Sequence, residues 1–172
     1  MYLVVGATGI LGSYICRRLR EVGRPVRALV RSTANPDRIR ALRDAGVELS
    51  HGDLKDAESV HRACTGVSAV ISTASSTLSR QAGDSIQSVD LDGQLILLNA
   101  AKEAAVSHFT FVSIPRSPVR ESPLTRAKYR VEQELAASGI PYTVLAADYF
   151  MEVWLSPALG FNYAEGTAVV FG

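Results

Sequence analysis

The sequence predicts an α/β fold built on a doubly wound parallel sheet. Short apolar segments alternate with segments of helical periodicity over residues 1–146, and this alternation is typical of parallel strands joined by right-handed crossovers. The first segment, residues 2–5, is apolar at consecutive positions, as expected of a strand covered by helices on both faces. A glycine-rich turn and an amphipathic helix follow it directly.

Each element follows from its local pattern. Ile10, Tyr14 and Leu19 recur at helical spacing until Gly23 and Pro25 end the first helix. The second strand is residues 26–30. Further helices are predicted at residues 36–45, 57–64, 85–105 and 124–138, and further strands at 47–50, 67–74, 109–114 and 142–146. Polar loops at residues 75–84 and 115–123 then lie at the carboxyl edge of the sheet.

Composition limits the classes of function. The chain has 172 residues, 47% of them hydrophobic, and a formal net charge of +1, which predicts one domain with a substantial core. This charge gives no basis for binding nucleic acid or an anionic membrane. Cys16 and Cys64 lie far apart without metal-ligand spacing, so neither a disulfide framework nor a metal site is predicted. We therefore expect a cytoplasmic protein with a small-molecule substrate and without a metal.

The turn after the first strand has the features of a phosphate-binding loop. Gly6 permits a sharp turn, Gly9 allows a close approach of a pyrophosphate to the main chain, and Gly12 lets the helix lie close to the strand. The free N–H groups and positive dipole at the start of the helix favour an anion. The predicted pyrophosphate contacts are Gly6, Thr8, Gly9, Ile10, Leu11 and Gly12. Alternatively, the glycines serve only to reverse the chain.

The end of the second strand indicates which dinucleotide binds. In such sites this position meets the adenosine ribose, where an acid suits the 2′-hydroxyl of NAD and a cation suits the 2′-phosphate of NADP. Arg31 stands here, followed by Ser32, and no acid occurs before Asp37. The sequence therefore predicts NADP (NADPH) in preference to NAD, unless Arg31 is merely an exposed charge at the end of a strand.

The next two strand ends are predicted to enclose the rest of the nucleotide. Asp53 would accept a hydrogen bond from the adenine amino group, and Leu54 would pack on the face of the ring. The alternative is that Asp53 is a turn residue that caps the following helix. After the fourth strand, the small residues Thr73, Ala74 and Ser75 leave room for the cofactor.

Taken together, these segments resemble an atypical short-chain dehydrogenase/reductase of the NmrA-like, NAD(P)H-binding family. The resemblance implies a Rossmann fold, an NADP-type cofactor, and either reduction of quinones, dyes or unsaturated compounds or mere sensing of the nucleotide. It covers nearly the whole chain. The segments that carry it are residues 6–12, 30–31, 52–54, 99–102, 111–113, 127–128 with Glu132, 138–143 and 149–152.

Lys128 is the candidate catalytic residue that the resemblance implies. Short-chain dehydrogenases place a Tyr four residues before this Lys, but here that position is Leu124, and Tyr129 points a quarter turn away. Relatives that keep only the Lys imply a ribose anchor and substrate-side donor at Lys128. The alternative is a solvated lysine paired with Glu132. Ser113 matches a substrate-orienting Ser, or it only closes a strand.

The C-terminal residues are predicted to adjoin the nicotinamide. Tyr149 and Phe150 would line the pocket there, unless they are core aromatics. The family pattern has Arg-Pro just before them, whereas residues 146–148 are Ala-Ala-Asp. We assign residues 1–150 to the NAD(P)-binding Rossmann domain and 151–172 to the start of a smaller, incomplete substrate-side portion. Its apolar residues, such as Trp154, would favour a homo-oligomer.

The sequence thus predicts an NADPH-dependent oxidoreductase that transfers hydride to a small unsaturated, carbonyl or quinone-like acceptor. Two alternatives remain. The missing tyrosine at Leu124 favours a non-catalytic NAD(P)-sensing regulator or assembly factor. A nucleotide-sugar epimerase or dehydratase is a third hypothesis, and the same absence counts against it.

Overall fold

A computed structural model describes residues 1–77, 81–116, 121–148 and 150–169. Its six parallel strands are ordered β3-β2-β1-β4-β5-β6. The chain runs outward from β1 in one direction and then returns to β4 on the other side. This arrangement confirms the doubly wound parallel sheet. The strands are β1 Tyr2–Val5, β2 Val26–Val30, β3 Glu48–His51, β4 Ala69–Ser72, β5 His108–Ser113 and β6 Tyr142–Ala146.

Helices cover both faces of the sheet. They are α1 Ile10–Glu21, α2 Pro36–Asp44, α3 Ala57–Cys64, α4 Gly93–Glu103 and α5 Pro123–Ala137. Leu3 and Val5 belong to the core cluster that contains residues of α3, α4 and α5, whereas Val4 belongs to the cluster that contains residues of α1 and α2. Consecutive residues of β1 are therefore buried in opposite layers, which explains its unbroken apolar sequence.

The helix predicted over residues 85–105 differs in its first part. Residues Ile86–Asp92 form a π-helical segment, capped by reciprocal hydrogen bonds of Ser85 and Ser88, before α4 begins. Both Val89 and Asp90 are buried in it. Because helical periodicity counts an aspartate as a surface residue, the sequence pattern could not indicate that this carboxylate faces inward.

The C-terminal segments lie beyond the edge strand β6. A short helix α6 (Met151–Trp154) and a 3-10 turn (Pro157–Leu159) precede an antiparallel pair, β7 (Phe161–Asn162) with β8 (Thr167–Ala168). Large apolar side chains are exposed here, and we call this group the apolar C-terminal surface: Tyr142, Leu145, Met151, Trp154 and Leu155.

The two cysteines are free and buried on opposite faces of the sheet. Burial raises the pKa of the Cys16 thiol to about 12. Burial likewise raises that of Cys64, against a smaller lowering by Arg27, to a pKa of about 11. Both thiols are therefore unreactive core groups at neutral pH. None of the helices in the described ranges combines the length and apolarity needed to cross a membrane.

Candidate dinucleotide-binding site

A cavity of about 530 Å³ opens at the carboxyl ends of β1, β2, β3 and β4. This is the edge at which open α/β sheets bind ligands, next to the point where the strand order reverses. The structure brings together here nine of the residues that the sequence predicted as cofactor contacts: Gly6, Thr8, Gly9, Arg31, Asp53, Leu54, Thr73, Ala74 and Ser75.

The remaining predicted residues lie outside this lining. Gly12 is buried beneath the turn, Ser32 is exposed, and Ile10 lines a separate groove of about 350 Å³ between α1 and α2. Ser113 and Lys128 belong to a second polar cluster, described below. Phe150 is 39% exposed and belongs to neither core cluster. Tyr149 lies outside the described residues.

Gly6 makes the turn at the end of β1. Its φ of +84° falls in the left-handed region that L side chains rarely adopt. A Cβ atom here would lie 2.6 Å from Thr73 Oγ1 and 2.8 Å from the backbone nitrogen of Ala74. The Thr73 hydroxyl instead donates a hydrogen bond to the carbonyl oxygen of Val5 at 3.1 Å. The ends of β1 and β4 therefore meet closely at the base of the cavity.

Gly12 fixes the start of α1 against this turn. A Cβ atom on Gly12 would lie only 2.2 Å from the carbonyl oxygen of Gly6, so only glycine fits. Gly9 is the N-cap residue, and α1 has neither a side-chain cap nor an acidic residue in its first turn among the described residues. The first N–H groups of the helix, including those of Ile10 and Leu11, thus lack intrahelical partners. A helix start of this kind favours a bound anion.

Arg31 is engaged by a residue that sequence reasoning missed. Its Nη1 lies 2.7 Å from Asp84 Oδ2, and Lys55 Nζ lies 2.6 Å from the other carboxylate oxygen. The Asp84 side chain is only 1% exposed. Burial raises the pKa of this carboxyl, but hydrogen bonds from Lys55 and Arg31 outweigh that effect and lower it to about 2. The predicted loop at residues 75–84 gave no signal for this pairing, because the partners are distant in sequence.

Arg38 is a second cation at the cavity that the sequence analysis did not select. Its Nη1 donates to the carbonyl oxygen of Thr8 at 2.6 Å, so it joins α2 to the glycine turn. Asn35 caps α2 by accepting hydrogen bonds from the N–H groups of Asp37 and Arg38. The sequence could have indicated Arg38, because α2 follows β2 directly and the first turn of α2 must face the same edge of the sheet.

Asp53 and Leu54 form the wall of the cavity after β3. Asp53 Oδ1 accepts a hydrogen bond from the backbone N–H of Lys55 at 2.9 Å. This bond is typical of a turn residue, the alternative that the sequence analysis gave for Asp53. The cap of α3 is, however, Asp56, whose side chain accepts from the N–H of Glu58. Leu54 is 6% exposed and belongs to the core while also lining the cavity.

Lys128 lies in a buried polar cluster at the end of β5. The residue is 4% exposed, and its Nζ lies 3.5 Å from Asp90 Oδ1, 3.3 Å from the carbonyl oxygen of Val112 and 4.8 Å from the centre of the Phe111 ring. Burial lowers its pKa more than the Asp90 carboxylate raises it. The alternative of a solvated lysine paired with Glu132 is therefore wrong.

Glu132 instead serves Ser113. The Ser113 hydroxyl, 2% exposed, donates to Glu132 Oε1, and Arg116 lies 3.3 Å from the other oxygen of this carboxylate. The Glu132 side chain is itself 14% exposed. The hydrogen bond fixes the orientation of the Ser113 side chain beside α5, the helix that contains Lys128.

Asp90 and Gln94 connect this cluster to the cavity. Asp90 Oδ2 accepts from both the N–H and the hydroxyl of Ser76, at 3.0 and 2.7 Å. Gln94 accepts from the Ser72 hydroxyl at 2.8 Å and donates to the carbonyl oxygen of Ala74 at 3.2 Å. These bonds position the end of β4 against the π-helical segment. No three His, Cys, Asp or Glu residues gather as a metal site in the ranges described.

The strand order and the glycine turn define a Rossmann-type α/β protein. The sequence matches the NmrA-like family over residues 2–168, and the chain belongs to that family. The resemblance seen in the sequence is thus confirmed.

Relatives include photosystem II assembly factor Ycf39 of Trieres chinensis, 37% identical over 83% of this chain and 43% of that protein. The NAD(P)H azoreductase of Xenophilus azovorans is 32% identical over 88% of this chain and 49% of that protein.

A solved structure shows the same fold. NADPH-dependent quinone oxidoreductase QOR2 of Escherichia coli, complexed with NADPH, superposes with a TM-score of 0.73 at 28% identity. The alignment covers 92% of this chain and 53% of that one. The chain therefore spans about half the length of the relatives that it matches.

Proposed function

We propose that this protein binds NADP(H) in the cavity of about 530 Å³ and uses it as a reductant. The observation that carries the proposal is the junction of an uncapped helix start with nine predicted contact residues around one cavity. In this assignment the main chain from Gly6 to Gly12 holds the pyrophosphate and Asp53 with Leu54 holds the adenine. Arg31 then meets the 2′-phosphate.

The nicotinamide end of the cofactor would lie toward the buried cluster of Lys128 and Ser113. When bound, the reduced nicotinamide supplies a hydride, and the protein supplies orientation and a proton. Lys128 would hold the nicotinamide ribose and donate toward substrate. Ser113, oriented by Glu132, would position the acceptor. Leu124 provides no phenol, so the ammonium of Lys128 replaces the proton donor that tyrosine supplies in other short-chain dehydrogenases.

The proposed reaction is transfer of hydride to a small unsaturated, carbonyl or quinone-like acceptor. Its support is that the names of similar proteins describe quinone and azo reduction with NADPH or NAD(P)H.

A second candidate is a nucleotide-sensing assembly factor without turnover. Two observations favour it: Leu124 occupies the tyrosine position, and several similar proteins are photosystem II assembly factors. In that case the dinucleotide would bind in the same cavity, and its redox state would control a protein partner.

Fluorescence titration followed by turnover assays separates these candidates. The purified chain is first titrated with NADPH and NADH, and loss of the reduced-nicotinamide absorbance is then followed with quinones, azo dyes and aldehydes. Oxidation of NADPH that depends on both protein and acceptor supports the reductase. Binding without oxidation of any kind supports the sensor. A Lys128→Arg variant, which keeps the charge, serves as a matched comparison for the role of the ammonium.

The exposed apolar C-terminal surface supports self-association as a further part of this proposal. Met151 is 69% exposed and Trp154 is 49% exposed, which is costly for a monomer in water. Light scattering across a range of protein concentrations tests it. The cytoplasmic location stays a prediction from the sequence.

A further inference from the structure

Asp84 is bound within the protein as an anionic ligand would be. Two cations approach its two oxygens separately, Arg31 at 2.7 Å and Lys55 at 2.6 Å, and the backbone N–H of Gln81 donates to Oδ2 at 3.2 Å. The carboxylate is 1% exposed, whereas each cation is 28% exposed. All four residues but Lys55 line the cavity. Arg31 is therefore accessible from the cavity, but it is already paired with Asp84.

The position of this carboxylate matters because Arg31 is the residue that selects between nucleotides. A 2′-phosphate entering at the end of β2 needs the guanidinium of Arg31, which shares the Asp84 carboxylate with Lys55. If Asp84 stayed in place, two anions would share the same two cations. Like charges at contact distance repel each other strongly in a partly buried site.

We infer that Asp84 is an internal competitor for the 2′-phosphate and limits the preference of this protein for NADP(H) over NAD(H). The inference depends on the proposed function, because it concerns the same cavity. Binding of NADP(H) must displace the carboxylate from Arg31 and Lys55, whereas binding of NAD(H) leaves the ion pairs intact. The loss of these ion pairs therefore offsets part of the favourable free energy of the phosphate contact.

The exchange also affects the segment that carries Asp84. Gln81 donates from its Nε2 to the carbonyl oxygen of Thr33 at 3.3 Å, and its side-chain oxygen accepts from the Thr33 hydroxyl. Together with the Asp84 ion pairs, these contacts fasten residues 81–84 to the turn after β2. Release of Asp84 removes the charged part of this attachment, so a 2′-phosphate would loosen the segment and a 2′-hydroxyl would not.

A pair of small nucleotides isolates this effect from the rest of the cofactor. Adenosine 2′,5′-bisphosphate and adenosine 5′-monophosphate differ only in the 2′-phosphate, and calorimetry measures their binding to the chain. We expect Asp84→Asn to bind the bisphosphate about tenfold or more tightly than the unaltered chain does, while the monophosphate changes less than twofold. Asparagine retains the size and one acceptor of the side chain. Asp84→Ala should give the same direction of change.

The control variant removes the same charge elsewhere. Asp37 lies in the first turn of α2, its side chain is 75% exposed, and it forms an ion pair with Arg40. The control variant is Asp37→Asn. It should leave the ratio of the two affinities unchanged. In Lys55→Ala/Asp84→Asn, the gain for the bisphosphate should shrink, because one of the released cations is gone.

The outcomes are distinguishable. If both nucleotides bind but Asp84→Asn leaves their ratio unaltered, the inference is overturned and the proposed binding site stands. Weaker binding of the monophosphate by Asp84→Asn and Asp84→Ala overturns it as well, since it would mean that Asp84 accepts a hydrogen bond from the ribose. If no folded variant, nor the unaltered chain, binds either nucleotide or NADPH, the proposed function fails too. Circular dichroism confirms folding of each variant.

Discussion

Replacing Gly12 by alanine would place a Cβ atom 2.2 Å from the Gly6 carbonyl oxygen, 2.7 Å from its carbon and 2.9 Å from the Cα of Ala7. All three neighbours are backbone atoms, so no rotamer change relieves the contact. The start of α1 must retreat from the turn by roughly 1 Å before these distances become ordinary contacts.

Two opposing terms decide the sign of the effect on stability. Alanine in place of glycine inside a helix gains about 1 kcal/mol of intrinsic propensity. Forced displacement of packed elements costs about 1–3 kcal/mol, and more where backbone meets backbone. Because all three contacts are to backbone atoms, the steric cost lies at the upper end of this range, at about 2–3 kcal/mol. It exceeds the gain in propensity, so we expect a free energy of unfolding lower by about 1–2 kcal/mol in urea denaturation.

The same shift should weaken dinucleotide binding. The N–H groups that would meet the pyrophosphate move with the helix, and a displacement of about 1 Å in a binding constellation costs up to about a hundredfold. Since the pyrophosphate is common to both cofactors, fluorescence titration should show equal losses for NADPH and NADH. Ser13→Ala is the matched control, an alanine at the adjacent position of α1, and it should bind normally. A Gly12→Ala protein with unaltered stability and affinity would refute the close approach of helix and turn.

Three further outcomes follow from the charged groups. Arg31→Ala should lower NADPH affinity about tenfold or more with little change for NADH in the same titration, and equal losses would contradict the 2′-phosphate assignment. Lys128→Met leaves Asp90 buried without its cation, so urea unfolding should show a loss of about 3–5 kcal/mol, and Asp90→Asn/Lys128→Met should lose less than the sum of the single variants. The pKa of Asp84 is about 2 in the folded protein and 3.8 in the unfolded chain. Its ionised carboxylate therefore stabilises the fold above pH 3.8, and this stabilisation is lost as the pH falls toward 2. When the free energy of unfolding is measured as a function of pH, Asp84→Asn should lack this loss of stability in acid. A pH dependence identical to that of the unaltered chain would argue against the ion pairs.

The half of the site that could be predicted from the sequence is built from local chain geometry. Gly6 and Gly12 are required by a turn and a helix start that are contiguous in sequence, so their spacing alone indicated their roles. Arg31 and Asp53 both line the cavity, as expected for residues at the ends of parallel strands that share an edge of the sheet. Strand alternation likewise gave the sheet, since each strand shows its own periodicity.

The other half depends on pairings between distant residues. Asp84 meets Arg31 across 53 positions, and Asp90 meets Lys128 across 38 positions of the numbering, with no periodicity to link them. The inward direction of Asp90 in turn requires a π-helical segment, which breaks the 3.6-residue pattern that sequence reasoning uses. Residues whose roles come from a buried ion pair are therefore the ones that a single sequence conceals.

The Lys128–Asp90 pair also bears on the proposed role of Lys128 in a chain whose tyrosine position is Leu124. In enzymes with the phenol, the ammonium lowers the phenol pKa, and this task does not exist here because Leu124 is apolar. The charge must still be balanced in a buried position, and the Asp90 carboxylate, held by Ser76, provides that balance. Since burial lowers the pKa of Lys128 overall, its proton is less tightly held than that of an exposed lysine. In the reductase that we propose, a lysine acting alone as proton donor requires such a loosely held proton, whereas a lysine that serves only as a ribose anchor does not.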